Sequence, residues 1–213
     1  MIFTIAIDGP AGAGKGTIAK RLAAAYGFAH LDTGLLYRAV GKIAMDQGRG
    51  VIDRGLAELI AKDLRPEHLA LPGLRSAVAA RAASKVATIP GVRKALLDFQ
   101  QRFARREGGA VLDGRDIGTV IVPKAEVKIF VTASAEERAR RRASELRAAG
   151  EDVSESRILT EIRARDQQDT ARKDAPLRQP PDAVLLDTTD LDIDAAAARA
   201  AEIVESVLGR VGS

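Results

Sequence analysis

Ile2-Phe3-Thr4-Ile5-Ala6-Ile7-Asp8-Gly9-Pro10-Ala11-Gly12-Ala13-Gly14-Lys15-Gly16-Thr17 decides the fold. Ile2, Phe3, Ile5 and Ile7 make a β-rich run that stops at Asp8-Gly9-Pro10, after which Ile18, Leu22 and Tyr26 recur at helical spacing. The stretch is therefore a strand, a glycine loop and a helix. Gly9, Gly14 and Lys15 have the spacing of a phosphate loop, with Gly16 in place of the usual Ser or Thr and Thr17 directly after it. Glycines let the backbone curl so that successive N–H groups point at phosphate oxygens, and the start of the helix adds its positive dipole end. Lys15 is then placed to reach β and γ phosphates. A glycine turn with a surface lysine would look similar in isolation, but not between a strand and a helix.

Strand-like runs return at Ala110 to Leu112, Val127 to Val131 and Ala183 to Leu186, separated by helical stretches. That alternation predicts an α/β fold, a parallel sheet with helices on both faces. Ser134-Ala135-Glu136-Glu137 reads as a capping box, with Ser134 accepting from the Glu137 N–H and the Glu137 carboxylate reaching back. The helix it opens should run to about Gly150, and a second should start near Ser154. Asp192 to Leu208 suits a closing amphipathic helix. Arg65 to Gly73, with two prolines and a glycine, reads as a loop within the domain.

The 213 residues suffice for one good core carrying mobile inserts. With no cysteine there is no disulfide framework, zinc finger or cysteine nucleophile, which fits a reducing cytoplasm. Residues 1–8 have no basic n-region or small-residue cleavage site, so no signal peptide is expected, and no apolar stretch is long enough for a bilayer. A net charge of +4 favours anionic ligands in general without choosing among them. The guanine-reading Asn-Lys-x-Asp signature is absent, which disfavours a GTPase.

Charged residues cluster at informative positions. Asp113-Gly114-Arg115-Asp116 follows the Ala110 strand, so its side chains should emerge where open α/β sheets bind ligands, and Asp113 suits a metal-side carboxylate. Arg165, Asp169 and Arg172 fall at i, i+4 and i+7, on one face of a helix. Alone, that face reads as a solvated ion-pair stripe, and Arg115 and Asp116 as turn residues. Beside a phosphate loop, they form the inventory a kinase needs to hold an anionic acceptor and spread the charge of a transferring phosphoryl group. Arg138, Arg141 and Arg142 read equally well as lid residues over ATP or as a solvated helix surface. His30 and His68 belong to no motif and read as structural.

Several stretches resemble the bacterial cytidylate kinases: residues 5–17 with Gly-Pro-x-Gly-Ala-Gly-Lys-Gly-Thr, Leu31-Asp-Thr-Gly-x-x-Tyr-Arg38, Ala83-Ser-Lys-Val86 to Val92-Arg93, Asp113-Gly-Arg-Asp-Ile-Gly-Thr119, Val127-Lys-Ile-Phe130, and Arg165-Asp166 to Arg172. They span nearly the whole chain. The phosphate loop is shared with many kinases, but Asp-Gly-Arg-Asp-Ile-Gly-Thr at 113–119 together with Asp-Thr-Gly-x-x-Tyr-Arg at 32–38 is close to diagnostic.

The resemblance implies a five-stranded parallel sheet flanked by helices, with core 1–32, 108–135 and 182–213, a monophosphate-binding insert at about 33–107 and a helical lid at about 136–181. It implies transfer of the ATP γ-phosphoryl group to CMP or dCMP with Mg²⁺, by a cytoplasmic monomer binding neither nucleic acid nor membrane. Gly9, Pro10, Ala11, Gly12, Ala13, Gly14, Lys15, Gly16 and Thr17 would bind ATP, and Lys15, Arg115 and Arg172 would carry catalysis. Arg38, Arg115 and Arg172 would contact the acceptor phosphate, Thr33, Arg165 and Asp169 would sit near the sugar or lid, and Ser84, Arg93 and Asp116 would face cytosine. Thr17 and Asp113 would serve the metal. Two departures stand out. Thr33 replaces the family's frequent Ser, and Leu56 to Arg75 is shorter than usual and lacks the glycine-punctuated strand pattern of the family's β-insert, so a helical or irregular insert is expected there.

Rival readings are a phosphate-loop kinase for another small acceptor (AMP, UMP, shikimate or dephospho-CoA) and an ATP-dependent nucleic-acid-binding module. The latter lacks stacking residues, since aromatics are 3% of the chain and tryptophan is absent.

Overall fold

The computed structural model describes residues 1–148 and 150–211. The chain divides into two compact units, one formed by residues 1–31 and 104–213 and the other by residues 32–103.

The first unit is built on five parallel strands, β1 (Thr4–Asp8), β2 (Ala29–Asp32, whose last residue belongs to the second unit), β3 (Ala110–Gly114), β4 (Val127–Thr132) and β5 (Val184–Asp187), in the order β2-β3-β1-β4-β5. β1 is central, and every one of its residues is buried. Phe3, Ile5 and Ile7 point to one face by the two-residue period of a strand, where they meet α1 (Lys15–Tyr26) and α8 (Ile193–Val211) through Ile18, Leu22, Ala196, Ala200 and Val204. The order of strands reverses at β1, with β3 on one side and β4 on the other. In open parallel sheets such a switch point leaves a crevice at the carboxyl ends of the strands.

After β3 the chain makes one wide turn of π-helix, Ile117–Ile121, which no sequence period signals. α6 (Ala135–Ala148) begins after Ser134, whose Oγ accepts from the Glu137 N–H at 3.2 Å. Only half of the predicted box forms: the Glu137 carboxylate is taken by Arg140 and Arg141, and the Ser134 N–H donates instead to Thr189 Oγ1 at 3.0 Å. Three charge-assisted bonds outcompete one neutral amide for that carboxylate. Gly150 ends this helical stretch at φ 84°, as its position predicts. α7 (Glu155–Thr170) starts at Ser154, which accepts from the Arg157 N–H at 3.2 Å. Ala139, Ala143, Ile158 and Ile162 pack α6 against α7 in a small core of their own.

The second unit is helical: α2 (Thr33–Gln47), α3 (Arg54–Lys62), a 3-10 turn at Pro66–Ala70, α4 (Ala77–Val86) and α5 (Pro90–Ala104), whose last residue belongs to the first unit. The segment from Leu56 to Arg75 holds no strand, as its sequence suggests. α2 and α4 cross closely because Gly41 has no side chain, and a Cβ there would stand 2.7 Å from the Ala82 carbonyl carbon. No described helix is long and apolar enough to cross a membrane.

Candidate active site

The loop after β1 depends on glycine at two points. Gly9 has φ 145°, and a Cβ on it would lie 1.9 Å from the Val131 carbonyl oxygen of β4, so only glycine lets the loop leave the sheet here. Gly14 caps α1 in the left-handed region at φ 87°. Lys15 is buried and its Nζ donates to the Pro10 carbonyl at 2.7 Å. Burial, helped by the positive charge of Arg115, brings its pKa down to about 7, against the pull of Asp113 and Asp8.

Asp8 closes the central strand with both carboxylate oxygens engaged. Oδ1 accepts from the Ile117 N–H and Oδ2 from the Gly118 N–H, each at 2.7 Å, so the end of β1 holds the start of the π turn after Asp116. Burial raises Asp8 to about 6 despite these two bonds. Asp116 is itself buried and its charge pushes Asp8 in the same direction. Asp113 lies on β3 beside Ile7 of β1. Its Oδ1 accepts from His30 Nε2 at 2.7 Å, and its Oδ2 lies 3.7 Å from where a Cβ on Gly16 would stand.

Asp169 gathers the arginines. Arg115 Nε donates to its Oδ2 at 2.7 Å and Arg172 donates to its Oδ1. Burial alone would raise the Asp169 pKa, but Arg115 and Arg172, with Arg165 contributing, hold it below the usual value. The expected i, i+4, i+7 helical face is corrected here: α7 ends at Thr170, and Arg172 follows the cap residue Ala171. The Ala171 N–H closes the last turn on the Gln167 carbonyl, and Arg172 turns back on Asp169 from outside the helix. Nor is the cluster a solvated stripe, for the Asp169 and Arg172 side chains are each 8% exposed.

Arg138, one of the three arginines read equally as lid residues or a solvated helix surface, is not solvated. It is buried, donates from Nε to the Ala133 carbonyl and from one guanidinium nitrogen to the Ala11 carbonyl of the phosphate loop, and forks onto Asp166 at 3.0 and 2.7 Å. Arg141 reaches the Thr188 hydroxyl and carbonyl at 3.1 and 2.6 Å. A cavity of about 470 Å³ opens beside the loop, walled by Ala13, Gly14, Thr17, Arg141, Thr188 and Leu191 among others. Thr17 thus faces this cavity, whereas Asp113 faces Gly16, one residue earlier on α1. Sequence reading missed Asp8, His30 and Thr188 as site neighbours. An acid ending an apolar strand before the loop was the available signal for Asp8; the other two have partners far along the chain and left none.

In the second unit, Thr33 is buried at the start of α2, and Arg38 on the same helix donates to the Leu74 carbonyl at 2.9 Å. The Arg93 guanidinium sits 5.9 Å from the centre of the Tyr37 ring. Ser84 Oγ donates to the Ala80 carbonyl at 3.2 Å within α4. Tyr37 and Arg93 are drawn together, Arg38 reaches Leu74, and Ser84 bonds within its own helix.

A parallel sheet with a glycine loop at its switch point, a buried lysine and an arginine–aspartate cluster after the adjacent strand defines an α/β phosphate-loop protein. The family model described as cytidylate kinase matches residues 5–207, so the chain belongs to the cytidylate kinase family. It is 60% identical over 205 residues to a cytidylate kinase of Cereibacter sphaeroides, covering 96% of each chain, and 57% identical over 202 residues to one of Methylocella silvestris, covering 95% of this chain and 94% of that one. A solved structure of an uncharacterized protein from Eubacterium ventriosum aligns over 96% of this chain and 99% of its own at a TM-score of 0.57 and 16% identity, a likeness of fold alone.

Proposed function

We propose that this chain transfers the γ-phosphoryl group of ATP to CMP or dCMP, giving ADP and CDP or dCDP. Membership of the cytidylate kinase family carries the choice of acceptor. The chemistry is supported by one observation: the buried Lys15 at the phosphate loop lies within the electrostatic reach of Arg115, which is bound through Asp169 to Arg172.

In the first unit we assign residues 9–17 to the ATP phosphates, Thr17 to the α-phosphate side and the 470 Å³ cavity to the nucleoside of ATP. Lys15, Arg115 and Arg172 stabilise the charge that develops as an acceptor phosphate oxygen attacks the γ-phosphorus in line and the bond to the β–γ bridging oxygen breaks. Asp116 is assigned to the cytosine amino group, and Arg165 and Asp169 to the acceptor's sugar side. In the second unit we assign Arg38 to the acceptor phosphate, Thr33 to its sugar, and Ser84 and Arg93 to its base.

Mg²⁺ fits the donor set near Gly16, because it takes oxygen ligands through one or two carboxylates together with phosphate oxygens and water. Asp113 supplies such a carboxylate. The metal would neutralise phosphate charge there; the residues do the positioning. We take residues 136–181 as the lid, residues 33–107 as the acceptor insert, and a cytoplasmic monomer as the working form.

The deciding experiment is ADP release from ATP and Mg²⁺ with CMP, dCMP, UMP, AMP or no acceptor, with Lys15→Ala as control. CMP- or dCMP-dependent turnover, lost in the control, is expected. A wide preference for AMP or UMP would remove the base assignments of Ser84, Arg93 and Asp116, and turnover independent of any acceptor would overturn the proposal.

A further inference from the structure

The contact between His30 and Asp113 joins residues 83 apart in sequence, on adjacent strands β2 and β3. It is short at 2.7 Å, with the His30 side chain 17% exposed and that of Asp113 9%. A carboxylate only accepts, so His30 Nε2 carries the hydrogen and donates to Asp113 Oδ1. The χ2 torsion of an aspartate is broad, and without a partner the carboxylate samples a wide arc. A charge-assisted bond at this burial selects one setting of that arc. In that setting Oδ2 is the oxygen turned toward Gly16. Gly16 is where phosphate loops usually carry the Ser or Thr hydroxyl that serves the metal. Asp113 Oδ2 lies 3.7 Å from where a Cβ at this position would stand, within ordinary contact distance of the place a side chain would start.

We infer that His30 is a positioning residue for phosphoryl transfer: it orients Asp113 so that a carboxylate oxygen takes the place of the hydroxyl missing at Gly16 and steadies the metal side of bound Mg·ATP. The inference rests on the reading of Asp113 as the metal-side carboxylate. Outer partners of metal-binding carboxylates typically change metal affinity by about 10–100-fold when removed.

The test is calorimetric titration of the full chain with the β,γ-imido analogue of ATP, in Mg²⁺ and in EDTA, for the parent chain, His30→Leu, His30→Gln and Asp113→Asn. The readout is the gain in affinity that Mg²⁺ provides. That gain is expected to fall about tenfold in His30→Leu and at least as far in Asp113→Asn, with EDTA affinities unchanged. His30→Gln, whose amide nitrogen reaches about as far as Nε2, should keep most of the gain. If His30→Leu does not fold, His30→Asn, whose amide is too short to span the gap, takes its place with the same expected loss. A gain preserved in His30→Leu while Asp113→Asn loses it overturns the role of His30 and leaves Asp113 standing. A gain preserved in Asp113→Asn removes the reading of Asp113 and the inference with it. Equal weakening with and without Mg²⁺, or a His30→Gln variant as impaired as His30→Leu, makes His30 a structural residue only and also overturns it.

Discussion

Arg115 Nε donates to Asp169 Oδ2 at 2.7 Å, tying the turn after β3 to the last turn of α7. Asp169→Ala would leave Arg115 and Arg172 facing each other with the shared carboxylate gone. We expect a stability loss of about 3 kcal/mol by denaturant unfolding and a fall in kcat/KM for CMP. Because Asp169 has a folded pKa below its ordinary 3.8, its contribution is present above pH 3.8 and is lost as pH falls further through the folded value. A variant whose acid unfolding matches that of the parent chain would contradict this.

Lys15 offers a proton count. With a folded pKa of about 7 it is partly neutral just above neutrality, and bound phosphates favour the ammonium. ATP binding at pH 7.5 to 8, about half a unit to a unit above that value, should therefore take up protons. Titrations in buffers of different ionisation enthalpy measure the uptake, and Lys15→Ala should abolish it. In the ligand-free chain, the same depression makes stability rise with pH from about 7 to 10.5, where the unfolded lysine still holds its proton.

Arg138 pins the phosphate loop through the Ala11 carbonyl while forking onto Asp166. Lysine keeps the charge but not the fork. Arg138→Lys should cost about 2 kcal/mol in unfolding experiments and raise the KM for ATP with little change in that for CMP. An unchanged KM for ATP would restrict Arg138 to packing.

Asp116 is buried beside the turn held by Asp8. An acid accepts from the cytosine amino group, whereas uracil presents an oxygen at that position. Asp116→Asn should lower the ratio of kcat/KM for CMP over UMP by about tenfold or more. An unchanged ratio would move base selection elsewhere.

Local signals were legible. The strand, loop and helix through Thr17, the cap at Ser154 and the left-handed Gly150 each depend on residues within a turn of one another, so propensity and spacing alone determined them. The strand-free course of residues 56–75, part helix and part turn or irregular chain, was legible in the same way, from the absence of a strand pattern. What only the tertiary structure decided is which charge meets which. Glu137 is a local exception: Arg140 and Arg141, three and four residues on, were in view in the sequence, and their guanidinium groups outbid the capping bond that its motif suggests. Arg172 finds Asp169 only because α7 stops at Thr170 and the chain folds back. His30 and Asp113 meet because β2 lies beside β3, and Arg138 meets Ala11 because α6 follows β4, the neighbour of β1. A side chain's type limits the bonds it can make, but a sequence cannot rank partners brought within 3 Å by packing distant segments, because burial sets the strength of each bond only once the fold has closed.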